Sequence, residues 1–449
     1  KLDWQVITPN EKADWINQRD GLFDSLIPLA PEKKFSLNAQ SVFSTYVIGV
    51  ATNRDAWVSG FSKDKVASNM LSMINFYNHS EDKTKISWTR GLRNDLSKGL
   101  KYDFDEAEFV TTTYRPFTKQ HLYYHRPFIE CPGLWQRIYP STQYNNIVIA
   151  VSGVGQQKPF SPFITDNISD LQVVDKAQYF PLFFYDENKN RENSLFDDEE
   201  TNRYIRRDGI TDWILKEVRN RFGGSRIITK EHIFYYVYGL LHSKQYRERF
   251  ADDLKKSLPR IPIVDNVQDF MAFYKAGKEL ADIHLNYEQG INVQTTGHDG
   301  DYIFFAEMPM FAHRFFGVKV IGDIDIWQNE WANDTYQHFA VEKMKFAKVR
   351  DENGKLISDK TRIIYNGHIT IENIPLKAYE YIVNGKSAIE WIMERYTVTI
   401  DKASQIKNDP NDWSKEHEQP RYILDLLLSV IILSCRTVDI VNSLPTFRV

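Results

Sequence analysis

The stretch TYRPFTKQHLYYHRPF, Thr113–Phe128, gathers three tyrosines, two phenylalanines, two histidines, two arginines and a lysine around two prolines. Arg115 and Arg126 each precede a proline, which holds the residue before it extended. Both guanidinium groups therefore leave the backbone at constrained positions, beside rings on which they can stack. Two readings fit: an aromatic core whose cations reach outward along their aliphatic stems, or a surface that offers cations to a polyanion. Around this stretch, FVTTTYRPF, HLYY, NNIVIAVSG, LQVVD and YFPLFFY make residues 109–185 β-rich, with breaks at proline and glycine.

Upstream, residues 1–60 alternate polar turns with short apolar runs, as strands and loops closing off a domain do. SKDKVASNMLSMINFYNH then reads as a helix capped by Ser62, with Val66, Met70 and Ile74 on one face. A shorter helix at Thr89–Lys98 completes a helical joining segment, residues 61–108. Downstream, DENKNRENSLFDDEE carries seven acids against two bases and reads as an acidic linker or loop within residues 186–203. Residues 204–290 read as helices: TDWILKEVRNRFGG, capped by Thr211 and stopped at Gly223, then KEHIFYYVYGLLHS, SKQYRERFADDLKKSLP and VQDFMAFYKAGKELADIHLNYE. In residues 291–449, strand-like DYIFFAEM, FFGVKVIG and TRIIYNG precede helices through PLKAYEYIVNG, KSAIEWIMERY and ILDLLLSVIILSC. The last run has thirteen residues and contains Asp425. A bilayer core needs about 20 apolar residues, so this is a buried helix and no membrane partner is expected. The expected fold class is α+β: a β-rich N-terminal part, a helical middle and a mixed α/β C-terminal part.

The 449 residues carry a net charge of −4 and only two cysteines, Cys131 and Cys435. That excludes a disulfide framework and suits a reducing cytoplasm. The sequence opens at Lys1 and reads as a piece of a longer protein. No Gly-x4-Gly-Lys-Ser/Thr phosphate loop is present. An adenine-N6 methyltransferase needs an Asn/Asp-Pro-Pro-aromatic loop, and DPND at Asp409–Asp412 has one proline and no aromatic. Gly153-x-Gly155 follows a strand but lacks a third glycine and an opening helix, so a strand-ending turn is the better reading. His121, His125 and Cys131 sketch zinc spacing, yet Pro116 and Pro127 oppose the helix that spacing requires. Neither a catalytic residue nor a metal ligand is assigned.

The net charge hides an uneven distribution. Between Thr111 and Pro140, Arg115, Lys119, Arg126 and Arg137 face one carboxylate, Glu130. Arg203–Arg260 holds fourteen Lys/Arg against seven Asp/Glu. Clustered cations of this kind meet phosphates; the alternative for the helices is a solvated face with ordinary salt bridges.

YRPFTKQHLYYHRPF, followed by NNIVIAVSGVGQQKPFSPFITDNISDLQVVDKAQYFPLFFY, resembles the module after the adenine methyltransferase domain of Type ISP restriction-modification enzymes. LDWQVITPNEKADWINQRD and GVATNRDAWVSGFSKDK resemble the end of that methyltransferase and the family's joining segment. RRDGITDWILKEV, KEHIFYYVYGLLHSKQYRERFADDLKKSLPRIP and AGKELADIHLNYE resemble its helical part, and IPLKAYEYIVNGKSAIEWIMERY its C-terminal block. The match thins over Ile291–Ala340, which reads either as a surface insertion that packs its aromatics or as the place where base contacts that vary with the target fall, among them Gln294, His298, His313, Arg314, Lys319, Gln328 and Asn329. The resemblance implies a target recognition module, with residues 1–60 as the trailing edge of the methyltransferase, and double-stranded DNA as partner. Nuclease, helicase-like and methyltransferase domains of the same parent chain would use S-adenosylmethionine, ATP and Mg2+; no cofactor is expected in this part. Candidate DNA-binding residues are Arg115, Lys119, Arg126, Gln136, Arg137, Arg206, Arg207, Arg314 and Lys319, with Arg115 and Arg126 expected on one surface near Lys119 or Arg137. The rival expectation is a scaffold that docks the neighbouring domains with little base readout.

Overall fold

The computed structural model describes residues 6–79, 88–188, 203–288, 292–298, 301–307, 314–315, 318–321 and 335–447, with the backbone alone at 292–298, 301–307, 314–315, 319 and 335. The fold is α+β. Its β-rich part holds two four-stranded sheets. In the first, the hairpin Phe109–Arg115/Thr118–Tyr123 is flanked by the short strands Ser59–Gly60 and Ile168–Ser169. Pro116 fixes the first corner of its turn, and Phe117 takes the second in the left-handed region at φ 56°. In the second sheet, Val148–Val151 lies between Gln178–Pro181 and Pro162–Thr165, and Val47–Ile48 forms an edge.

NNIVIAVSG explains why the two sheets belong together. Successive strand residues face opposite sides, and a strand buried on both sides reads as an unbroken apolar run. Val148 and Ala150 enter a core shared with the hairpin and the C-terminal helices. Ile149 and Val151 enter a second core shared with the helical part.

The helical part runs Asp212–Arg221, Lys230–His242, Lys244–Arg249, Ala251–Lys256 and Val267–Leu285, with Thr211 and Asn266 capping the first and last. Helices Lys230–His242 and Val267–Leu285 approach backbone to backbone. A Cβ on Gly277 would lie 1.9 Å from the Tyr235 carbonyl oxygen, and one on Gly239 2.2 Å from that of Phe273. SKQYRERFADDLKKSLP, expected as one helix, is two short helices. Phe250 leaves helical geometry between them (φ −102°, ψ 24°) and packs its ring 5.2 Å from Phe23. Burying that ring outweighs one helical turn.

The C-terminal part contains a seven-stranded sheet, in which Thr370–Glu372 bridges Leu356–Ile364 to Lys319–Ile321. The helix Tyr422–Asn442 is buried along most of its length, and Asp425 pairs with Arg421 at 2.9 Å. Among the described residues no helix is long and apolar enough to cross a membrane. Two readings are corrected. PLKAYEYIVNG is a 3-10 turn, Leu376–Glu380, followed by the hairpin Ile382–Val383/Lys386–Ser387. Its corner is Asn384–Gly385, both at positive φ, the pair that suits a two-residue hairpin. LQVVD is a turn, because the Asp170 carboxylate accepts from the Gln172 N–H and bends the chain there. The acidic run expected as a linker lies largely outside the described residues.

Candidate nucleic-acid interface

The hairpin decides where the arginines of the opening stretch go. Arg115 sits beside its turn, opposite Thr118, whereas Arg126 lies past the far end, beyond Tyr123. Six residues of strand at about 3.3 Å each separate those ends by roughly 20 Å. The expectation of one shared surface is therefore corrected: antiparallel pairing sends the two Arg-Pro steps to opposite ends.

Arg115 is pulled inward. Its Nη1 donates to Asp170 at 2.8 Å, Asp55 lies 4.0 Å away, and the guanidinium lies 3.9 Å from the Tyr114 ring centroid. Burial pushes the Asp170 carboxyl up to about 6, with Arg115 opposing that rise. Asp55 also accepts from the Tyr114 hydroxyl at 3.0 Å. Arg115, Asp170 and Asp55 line a cleft of about 990 Å³ with Arg54, Trp57 and Trp88. Lys119 pairs with Glu288 at 2.5 Å and fastens the hairpin to the end of the Val267–Leu285 helix.

Arg126 and Gln136 stay exposed and line a larger cleft of about 1340 Å³ between the strand Phe109–Arg115 of the first sheet and the segment Tyr139–Ile147. Among the described residues Arg126 makes no ion pair. The wall continues through Thr111, Thr142, Asn145 and Asn167, with Glu108 and Asp166 as its acids. Asn145 and Asn167 are groups sequence reasoning did not single out. They fall in turns without a cationic neighbour, and only the folding of Tyr139–Ile147 over the hairpin, for Asn145, and the turn before the strand Ile168–Ser169, for Asn167, bring them to the same cleft as Arg126.

The hairpin Phe183–Glu187/Tyr204–Asp208 borders this cleft through Phe183. Strand alternation splits its neighbouring arginines. Arg206 lies across from Tyr185 and stacks on Phe183, 4.4 Å from the ring centroid, so it stands at the rim. Arg207 takes the other face with Phe184 and pairs with Asp186 at 2.8 Å. Arg137 binds the same carboxylate at 2.5 Å and lies 4.2 Å from the Phe35 ring centroid. One carboxylate thus holds both cations as a clamp.

The cation-rich helices follow the plainer alternative in large part. Arg249 pairs with Asp20 and Lys256 with Asp14, while Arg260 donates to the Asp24 and Leu26 carbonyls. They fasten residues 14–26 to the helical part. Arg221 pairs with Asp265, and Lys230 with Asp208 and Asp212. Arg314 and Lys319 lie in the seven-stranded sheet, where Lys319 pairs in register with Glu372 and Ile303. Their side chains, together with His313, Gln328 and Asn329, lie outside the described residues. His121 and His125 part company: His121 Nε2 lies 3.0 Å from Glu416, and His125 packs edge-on to Tyr102 and Tyr123.

A small sheet and a covering loop around an open polar cleft, braced by a second sheet and a helical block, make a recognition module. The family follows from the sequence: the model of the Type ISP C-terminal specificity domain matches residues 41–426, and the chain belongs to that family. It is similar over 99% of its length to the ATP-dependent Type ISP restriction-modification enzyme LlaBIII bound to DNA, at 35% identity and a TM-score of 0.79. A nuclease-deletion mutant of the Type ISP enzyme LlaGI, in complex with a DNA substrate mimic, matches over 100% at 34% identity and 0.75. The DrdV-DNA complex matches over 100% at 26% and 0.77. The chain spans 26%, 37% and 41% of those three chains respectively. No curated protein sequence is a significant match.

Proposed function

We propose that the chain binds double-stranded DNA in the cleft between the hairpin Phe109–Arg115/Thr118–Tyr123 and the segment Tyr139–Ile147, and reads part of a target sequence there. The observation that carries this is the exposed Arg126, without an ion pair among the described residues, lining one cleft of about 1340 Å³ together with Gln136 and Asn145. Arg, Gln and Asn are the side chains that bond base edges bidentately, and a carboxylate such as Glu108 can accept from the cytosine amine. One arginine against two acids is too little charge for a groove that grips phosphates alone. Phosphate contact falls to the rim, where Arg206 stands on Phe183. Three solved relatives bound to DNA or a DNA mimic support the assignment.

In a longer parent chain, this module would hold the duplex in register while the methyltransferase flips an adenine for N6 methylation. Its helicase-like and nuclease domains would use the same contact for translocation and cleavage. S-adenosylmethionine, ATP and Mg2+ would belong to those domains, and the cytoplasm is the compartment where they would meet DNA. The scaffold reading draws on the helical part, whose cations are largely engaged within the chain.

Fluorescence anisotropy with a mixed-sequence duplex over a salt series separates the two readings. Each phosphate neutralised contributes about −0.9 to the log–log slope, and Arg126→Ala and Arg206→Ala should both weaken binding. A flat salt response, with both variants binding like wild type, would leave the scaffold.

A further inference from the structure

A second polar site lies away from the cleft, where helix Lys230–His242 meets the Asn384–Gly385 hairpin and the last helix. A cavity of about 180 Å³ there is lined by His242, Lys244, Arg247, Glu380, Tyr381 and Thr437, with apolar side chains completing the wall. Three of these carry a buried polar atom with no hydrogen-bond partner among the described residues: His242 Nε2, Arg247 Nε and the Tyr381 hydroxyl. His242 and Tyr381 are 2% and 6% exposed. Unpaired buried polar atoms are rare in native proteins, and three bordering one cavity mark it as a polar site.

The site's chemistry follows from the protons. His242 Nδ1 lies 2.8 Å from the Tyr238 carbonyl oxygen, which can only accept, so Nδ1 carries the hydrogen. Burial holds the ring neutral, pushing its pKa down to about 3. Nε2 is then a bare acceptor. The guanidinium of Arg247 can only donate, and the Tyr381 hydroxyl can do either. Arg247 has no carboxylate partner among the described residues. Lys244 gives its ammonium to Asn442 at 2.9 Å, and Glu380 is exposed at the edge. The ligand must therefore bring negative charge and acceptor oxygens to Arg247 and Tyr381, and an O–H to His242.

We propose that this cavity binds a small protonated oxyanion with the chemistry of hydrogen phosphate, its oxygens held by Arg247 and Tyr381 and its P–OH donating to His242 Nε2. Its size permits this, since one water needs only about 10–15 Å³. Ordered water would satisfy the polar atoms but leave the half-buried guanidinium of Arg247, its Nε shielded from solvent, without a counter-ion among the described residues. An internal DNA phosphodiester has no P–OH and is not the ligand, so this site is separate from the proposed DNA cleft.

Calorimetric titration of inorganic phosphate into the full chain, at neutral pH in a phosphate-free buffer, tests the assignment. One equivalent should bind saturably, and sulfate, which has no proton to give at that pH, should bind about tenfold more weakly. Arg247→Met should lose binding by at least about tenfold, and Tyr381→Phe should weaken it about fivefold while leaving the packing intact. Absence of saturable binding at millimolar phosphate means that water alone fills the cavity and overturns the proposal. Equal affinity for sulfate, or unchanged binding in Tyr381→Phe, overturns it as well. If Arg247→Met does not fold, the phosphate–sulfate comparison and Tyr381→Phe decide.

Discussion

Alanine at Arg115 and at Arg126, one at a time, should give opposite outcomes. Removing Arg115 takes the partner 2.8 Å from a carboxyl that burial already pushes from 3.8 to about 6. Each pH unit by which a carboxyl is displaced corresponds to about 1.4 kcal/mol, so ionised Asp170 costs the wild-type fold about 3 kcal/mol. Without Arg115 the carboxyl rises further, and at pH 7.5 it takes up a proton, which caps the cost at about 5 kcal/mol. The difference of about 2 kcal/mol, plus about 1 for the lost contact with the Tyr114 ring, predicts a destabilisation of about 3 kcal/mol at pH 7.5. The sign of the pH dependence follows. The folded value lies above the unfolded one, so the favourable contribution of Asp170 is full below 3.8 and is lost as pH rises through 6. At pH 5 the carboxyl is mostly protonated with or without Arg115, and the defect should shrink to about 1 kcal/mol. Urea unfolding at pH 5 and 7.5 measures this, and the double variant Arg115→Ala/Asp170→Asn should lose the pH dependence. Arg126→Ala should leave stability within about 0.5 kcal/mol and lower DNA affinity. Its salt slope should be shallower by about 0.9 if it meets a phosphate, or its sequence choice looser if it meets a base. An Arg115→Ala protein as stable as wild type at pH 7.5 but weak on DNA would refute the reasoning.

The neighbouring arginines of the second hairpin make a matched pair. Arg206→Ala should weaken DNA binding in anisotropy, whereas Arg207→Ala should leave it unchanged because Arg137 still holds Asp186. Gly277→Ala should cost about 1–3 kcal/mol or more in urea unfolding, since the added methyl meets a backbone carbonyl that cannot turn aside. Replacing Asn384–Gly385 with Ala-Ala puts two side chains at positive φ. It should cost about 1–3 kcal/mol, read as a lower thermal midpoint. A variant of either kind with wild-type stability would remove the close-approach or turn argument behind it.

Local rules settled a good part of this protein. Ser62 and Thr211 cap helices where their sequence places them, because capping involves only the next few residues. NNIVIAVSG is a doubly buried strand because an unbroken apolar run cannot face water on either side. The α+β class and the family were likewise legible, from element order and from long matching blocks. The candidate interface was legible only as a set of residue types. Arg115 and Arg126 look alike in sequence, each before a proline and beside aromatic rings. What separates them is the antiparallel pairing of the hairpin and the carboxylate of Asp170, which lies 55 residues beyond Arg115. Arg206 and Arg207 differ only by strand alternation against Phe183 and Asp186. The fourteen cations of Arg203–Arg260 left a polyanion surface and a face of ordinary salt bridges both open, and several are taken by carboxylates and carbonyls of residues 14–26, more than 200 positions away in the chain. Charge and propensity are properties of a residue and its neighbours. Whether a charge is free is decided by which distant group the fold brings within hydrogen-bonding distance, and a single sequence does not carry that information.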